Sequence, residues 1–304
     1  MTLLLRWATH ALLLLCLPPL LLSVIARVKA FVAGRSGPPM LQPYRDLLRL
    51  LCKGAVYSQS TTWIFWMAPM VILASTLAAG SLLPLTAVNA PVSFDGDLVL
   101  FVYLLGLGRF VTMCAALDTG SSFEAMGASR EAAFGALAEP VIVLGLVVLV
   151  IATHHLSLSG IFASLAVTSG ANPALWLVAA ALGAVLLAEN ARIPIDDPAT
   201  HLELTMIHEV MVLDHCGPDR ALIEYGSATK LFVTSMLLVG VVAPAALGHP
   251  IFVGLGAIVV AVGIGAIEST MARLRLPRVK QFLIGAAALA AVALAAELFA
   301  QGAQ

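Results

Sequence analysis

Glu124, Glu131 and Glu139 stand seven and eight residues apart in the stretch FEAMGASREAAFGALAE. On a helix that spacing brings them toward one face. Carboxylates drawn out of water and crowded together can exchange protons near neutral pH, so such a row could form a proton path. The same residues would suit a solvated loop helix equally well, with the acids facing water. A second concentration runs from Leu187 to Tyr225, where Glu189, Arg192, Asp196, Asp197, Glu203, Glu209, Arg220 and Glu224 accompany three of the seven histidines. Most of the charges elsewhere are lysines and arginines in two further loops, at about 27–59 and 269–281. A hydrophobic chain that gathers its charges in this way is handling charge there, since anchoring alone would not need them.

Other chemistries fit the residues less well. Asp196-Asp197 could hold magnesium against a polyprenyl phosphate, but Asp197 precedes Pro198 and already serves as a helix cap. His201, His208 and His215 are spaced by seven, not by three or four as ligands on one helix face would be. Cys16, Cys52, Cys114 and Cys216 form no C-x-x-C pair, which disfavours disulfide, zinc and iron–sulfur roles. Arg109 lies within an apolar segment, and Glu268 lies at the end of another, where snorkelling to the interface is the favoured reading.

The elements that carry these groups follow from composition. Hydrophobic residues make up 61 %, charged residues 11 %, and mean hydropathy is +1.00, far from soluble averages. Windows long enough for a bilayer predict eight transmembrane helices, at about 3–26, 60–82, 98–117, 138–153, 174–190, 227–247, 251–268 and 282–300. The expected architecture is all-α: one polytopic membrane domain over residues 1–304. The first segment has only Arg6 at its start, with Arg27 and Lys29 behind it, the reverse of a signal peptide. Lysines and arginines cluster in the loops at about 27–59, 118–137, 191–226 and 269–281, which places these loops in the cytoplasm and both termini outside. The loops at about 83–97, 154–173 and 248–250 carry none. Tyr44, Leu47, Leu48 and Leu51 against Arg45, Arg49 and Lys53 predict an amphipathic interfacial helix over about 44–53. A helix is also expected from Asp197 to Leu213, stopped by Cys216-Gly217-Pro218. No basic cluster interleaved with aromatics suggests nucleic acid, and no internal repeat is evident.

Four segments, GRSGPPMLQPYRDLLRL (34–50), GASREAAFGALAE (127–139), AENARIPIDDP (188–198) and LRLPRVKQFL (274–283), resemble the eight-helix membrane subunit of respiratory complex I that flanks the quinone chamber. The stretch from Ala191 to Tyr225 resembles more specifically the branch found in formate hydrogenlyase and other energy-converting NiFe hydrogenases. The resemblance implies a subunit without a prosthetic group of its own. It would anchor an arm of NiFe large and small subunits and an iron–sulfur subunit, and join it to antiporter-like membrane subunits. It also implies a path of cytoplasmic-side carboxylates: Glu139, Glu189 and Glu203 by motif, with Glu124, Glu209 and Glu224 as outer members. Arg130, Arg192, Asp196, Asp197, Arg35 and Arg278 would orient loops or dock the arm. Ala199 and His201 stand where the complex I pattern has further glutamates, and this thinner acidic cluster favours the hydrogenase branch. A quinone-site subunit, or a stand-alone transporter or lipid-phosphate enzyme, are the competing expectations.

Overall fold

The computed structural model describes residues 3–86, 89–168, 172–196 and 206–302. It is all-α, with no strand among the described residues. The helices are α1 (Leu3–Val32), α2 (Gln42–Leu51), α3 (Trp63–Ser81), α4 (Asp97–Asp118), α5 (Ser122–Thr153), α6 (Leu158–Thr168), α7 (Pro173–Glu189), α8 (Gly217–Val242), α9 (Pro250–Thr270) and α10 (Leu276–Gly302). Seven of them, α1, α3, α4, α5, α8, α9 and α10, are long and apolar enough to cross a membrane. Helix α7, at 17 residues, reaches about 25 Å and is a little short.

Helix α8 is the most enclosed element and packs on α1, α2, α3, α7 and α9. Between apolar helices the hydrophobic effect gives little drive, so small residues and polar ties decide which faces meet. Asp118 at the end of α4 accepts from the backbone N–H of Thr62 at 2.6 Å and from its hydroxyl at 2.8 Å, fixing the start of α3. Asp97, fully buried at the other end of α4, accepts from the N–H of Leu158 at 2.7 Å and so holds α6. Asn172 caps α7 and reaches Glu297 of α10 at 2.7 Å.

The structure departs from the sequence expectation in ways that matter for the site. The polar stretch expected as a loop at about 118–137 is the first half of α5, which is 32 residues long. Its alanines favour helix, and its carboxylates find a buried cation, so the helix can carry them inward. Likewise α8 begins at Gly217, ten residues before the expected 227, because Pro218 sits in the first turn and starts a helix as readily as Gly-Pro stops one. It ends at Val242 in a short 3-10 turn, Pro244–Gly248. Helix α6 occupies the expected loop at 154–173. Of the helix expected over 197–213, residues 197–205 lie outside the described residues, and only Glu209–Val212 forms a single 3-10 turn. Buried Val210, Met211 and Val212 wedge that turn into the bundle. A Cβ on Gly127 of α5 would lie 2.4 Å from Val210, so the close approach requires glycine. The amphipathic helix is α2, with no buried residue, tied to α1 by a hydrogen bond from the Tyr44 hydroxyl to the Cys16 carbonyl.

Just after the 3-10 turn, His215 stacks flat on Phe65, ring centroids 3.9 Å apart at 6°. Burial, with help from Arg220, lowers its pKa from 6.5 to about 4. Below pH 6.5 the unfolded chain binds a proton that the folded chain refuses, so folding stability falls between pH 6.5 and about 4. The shift caps the loss at roughly 3 kcal/mol. Melting of the detergent-solubilised protein at pH 7.5 and 5 checks this: His215→Phe should lose less on acidification than the unaltered chain. Equal losses would remove His215 from the acid response.

Candidate functional site

Arg109, midway along α4, is the centre of the site. Its side chain is only 5 % exposed and meets three carboxylates. Nη1 lies 2.8 Å from Glu139 and Nε 3.4 Å from Glu131, both on α5, and Nη2 hydrogen-bonds to Glu189 at the end of α7. The other oxygen of Glu189 lies 2.8 Å from Lys230 of α8. Four helices thus contribute two cations and three carboxylates. If all are ionised, one negative charge is left over, so the cluster can take up one proton without losing a pairing partner. A planar fork of five donors suits Arg109 to hold several carboxylates at once. Gly135 makes room for it, since a Cβ there would lie 2.5 Å from Nη1.

Access is graded. Glu189 is 2 % exposed at its side chain, Glu131 17 % and Glu139 47 %. Glu139 opens into a groove of about 560 Å³ between α4 and α5, otherwise lined by Tyr103, Pro140, Leu98, Val143 and other apolar residues. At Glu189 a second cavity of about 310 Å³ is walled by Arg192, Asp196, His208, Glu209, Arg220, Glu224 and Lys230, together with apolar residues such as Leu22, Ile223 and Leu231. There Arg220 holds Glu209 at 2.6 Å and Glu224 at 2.8 Å. A small cavity of about 40 Å³, lined by Arg109, Glu131, His208, Ser227 and Lys230 among others, lies next to Arg109. Burial lowers the pKa of His208, opposed by the charges of Glu209 and Glu131.

The surrounding loops are knitted by ion pairs. Asp196 accepts from the N–H groups of Ile207 at 3.0 Å and His208 at 3.3 Å, and pairs with Arg273 at 2.8 Å. Arg130 donates to the Met206 carbonyl at 3.0 Å. Glu268, whose side chain is fully buried, lies 2.9 Å from Lys29 and 3.4 Å from Arg192. The expected snorkelling of Glu268 is therefore overturned: two cations compensate its charge inside the protein.

Of the expected proton-handling residues, the fold places Glu139 and Glu189 on Arg109, and Glu209 and Glu224 on Arg220. Glu124 stands apart, accepting from the Asp214 N–H at 3.1 Å. Glu203 and Asp197 lie outside the described residues. Arg130, Arg192 and Asp196 hold loops, whereas Arg35 and Arg278 are exposed surface cations. The sequence singles out Arg109 without giving it a role, places Glu131 in a possible row with Glu124 and Glu139 rather than on Arg109, reads Glu268 as interfacial, and does not mark Lys230 as a site member. An arginine in mid-span with acids within reach was the available signal.

This arrangement has relatives. The sequence profile of the family described as NADH dehydrogenase matches residues 7–299. The chain belongs to the NADH dehydrogenase family, that of complex I subunit 1. Within the family it is 32 % identical to formate hydrogenlyase subunit 4 of Escherichia coli over 302 residues, covering 94 % of this chain and 97 % of that one. It is 34 % identical to hydrogenase-4 component C of the same organism, over 77 % of this chain and 74 % of that one. An NADH-quinone oxidoreductase subunit of Paraburkholderia xenovorans matches at 29 % over 43 % of this chain and 38 % of its own length. The fold is shared with a chain from the membrane-bound sulfane sulfur reductase, an archaeal respiratory complex, at a TM-score of 0.79, 19 % identity, and coverage of 96 % of this chain and 99 % of that one. As a family member it is a multi-pass membrane subunit of a complex I-like assembly.

Proposed function

We propose that the chain is the membrane anchor and coupling subunit of a complex I-like NiFe hydrogenase of the formate hydrogenlyase type. It docks a peripheral arm of hydrogenase large and small subunits with an iron–sulfur subunit, and it links their electron transfer to proton movement. It carries no cofactor itself and adjoins antiporter-like membrane subunits in the inner membrane, with its termini outside. Near full-length similarity to formate hydrogenlyase subunit 4 supports this branch over the quinone-linked one, where similarity is partial.

The observation that carries the coupling reading is the position of the Arg109 cluster. It lies between an ionisable cavity beside the polar loops and a groove opening laterally at Glu139. Protons entering from the loop side would meet Glu209 and Glu224 first, then Glu189 and Glu131, then Glu139. Coupling requires the docked arm's two redox states to bind two loop arrangements with different free energy. The loop residues 190–196 and 271–275 are suited to this, because Asp196–Arg273 ties the two loops together and Arg192–Glu268 ties the first of them to the end of α9.

The test has two parts. The complex, gently solubilised through a tag on this chain, should contain NiFe large and small subunits by mass spectrometry. Recovery with nickel-free quinone-reducing partners would move the chain to the other branch, and recovery alone would defeat both. In vesicles, Glu139→Gln should assemble and melt within about 1 kcal/mol of the unaltered protein, as expected for a half-exposed group. Its protons moved per electron should fall by about tenfold or more. Full proton movement in that variant would remove Glu139 from the path.

A further inference from the structure

Resting on that coupling reading, we propose that His208 is the proton-passing partition between the outer ionisable cavity and the inner cavity at Arg109. Three residues line both spaces: His208, Ser227 and Lys230. Lys230 is committed to Glu189 at 2.8 Å, and a serine hydroxyl neither gains nor loses charge in this range. His208 alone of the three has two nitrogens, one able to receive a proton while the other releases one.

Its surroundings suit that task. Nε2 lies 3.3 Å from the Ser227 hydroxyl, and the backbone is held by Asp196, itself fixed by Arg273. Across the inner cavity stand Glu131 of α5 and Arg109 of α4. The outer cavity presents Glu209 beside the histidine, Glu189 of α7, Arg192 and Asp196 of the loop after α7, and Arg220, Glu224 and Lys230 of α8. Burial keeps the imidazole neutral at rest, with Lys230 and Arg220 acting in the same direction and the charges of Glu209 and Glu131 acting against it. In the step, a carboxylic acid or water in the outer cavity gives a proton to one ring nitrogen, and the imidazolium releases the proton on the other nitrogen to the inner cavity. One N–H bond forms and one breaks, and no oxidant or reductant is needed.

The whole complex in sealed vesicles provides the test, with internal pH followed by a dye and normalised to electrons transferred. His208→Gln and His208→Ala are expected to assemble with the full partner set and to lower protons per electron by about tenfold or more. Added imidazole should restore the alanine variant, because it fits the vacated space, and should leave the glutamine variant low. Unchanged proton movement in both variants overturns the proposal. So does a loss that imidazole fails to restore, or failure of both variants to assemble, since each assigns His208 a structural role. Absence of proton movement in the unaltered complex overturns the coupling reading itself, and this inference with it.

Discussion

Arg109→Gln is expected to be the most damaging single change in the membrane interior, costing about 3–5 kcal/mol, the range for breaking a buried ion pair from one side. The guanidinium is nearly fully buried and faces Glu131, Glu139 and Glu189 together. Without it, three carboxylates share one cation, Lys230, which touches only Glu189. The acids then either take up protons or draw water into the bundle, and in both cases the proposed path is lost. Arg109→Lys should fail nearly as badly for coupling, because an ammonium on a narrower head cannot bridge α5 and α7 at once. Melting of the purified complex, together with protons moved per electron, checks both variants. Native melting and native coupling in Arg109→Lys would show that any buried positive charge suffices, and would remove the fork geometry from the account.

The second large effect is expected at Glu268→Ala. This carboxylate, with a side chain of zero exposure, neutralises Lys29 of α1 and Arg192 after α7. Removing it leaves two cations facing each other across a buried space. Lys29 is one-third exposed and can turn toward water, which brings the expected loss down to about 2–3 kcal/mol. The double variant Glu268→Ala with Lys29→Ala should regain part of that loss, as a direct pair requires. Melting curves for the single and double variants decide it: additive losses would mean that the two residues do not interact.

Helix type and order were legible in the sequence because hydrophobic windows are long and the breaks between them are marked by Pro, Gly and charge. What could not be read was how far helices run into polar sequence. A hydrophobic window stops where charges begin, but the acids of α5 find Arg109 on α4, and Arg220 at the start of α8 finds Glu224 on the same helix and Glu209 on the preceding turn. Glu131 and Glu139 count as members of one site only once Arg109 is placed opposite them. The same holds for Glu268, which reads as an interfacial acid until Lys29 and Arg192, 239 and 76 residues away in sequence, are brought to it. Glu189 was legible earlier, through its motif. Long-range ion pairing is the information a single sequence hides, and this site is built from it.

Pro140, inside α5, gives that helix the properties of a lever. Proline removes one backbone hydrogen bond and marks the place where a long helix bends most easily. From Pro140 back to Glu124 is 16 residues, or about 24 Å of rod. A bend of about 5° there would carry Glu124, with the loop residue Asp214 it holds, by about 2 Å. Glu131, nearer the pivot, would move about 1.2 Å, and Glu139, next to the pivot, hardly at all. The Glu131–Arg109 contact is already the longest of the three carboxylate contacts, at 3.4 Å, so it would open first while Glu139 stayed engaged. A push at the loop face is thereby translated into the release of one carboxylate, with the rest of the cluster left in place.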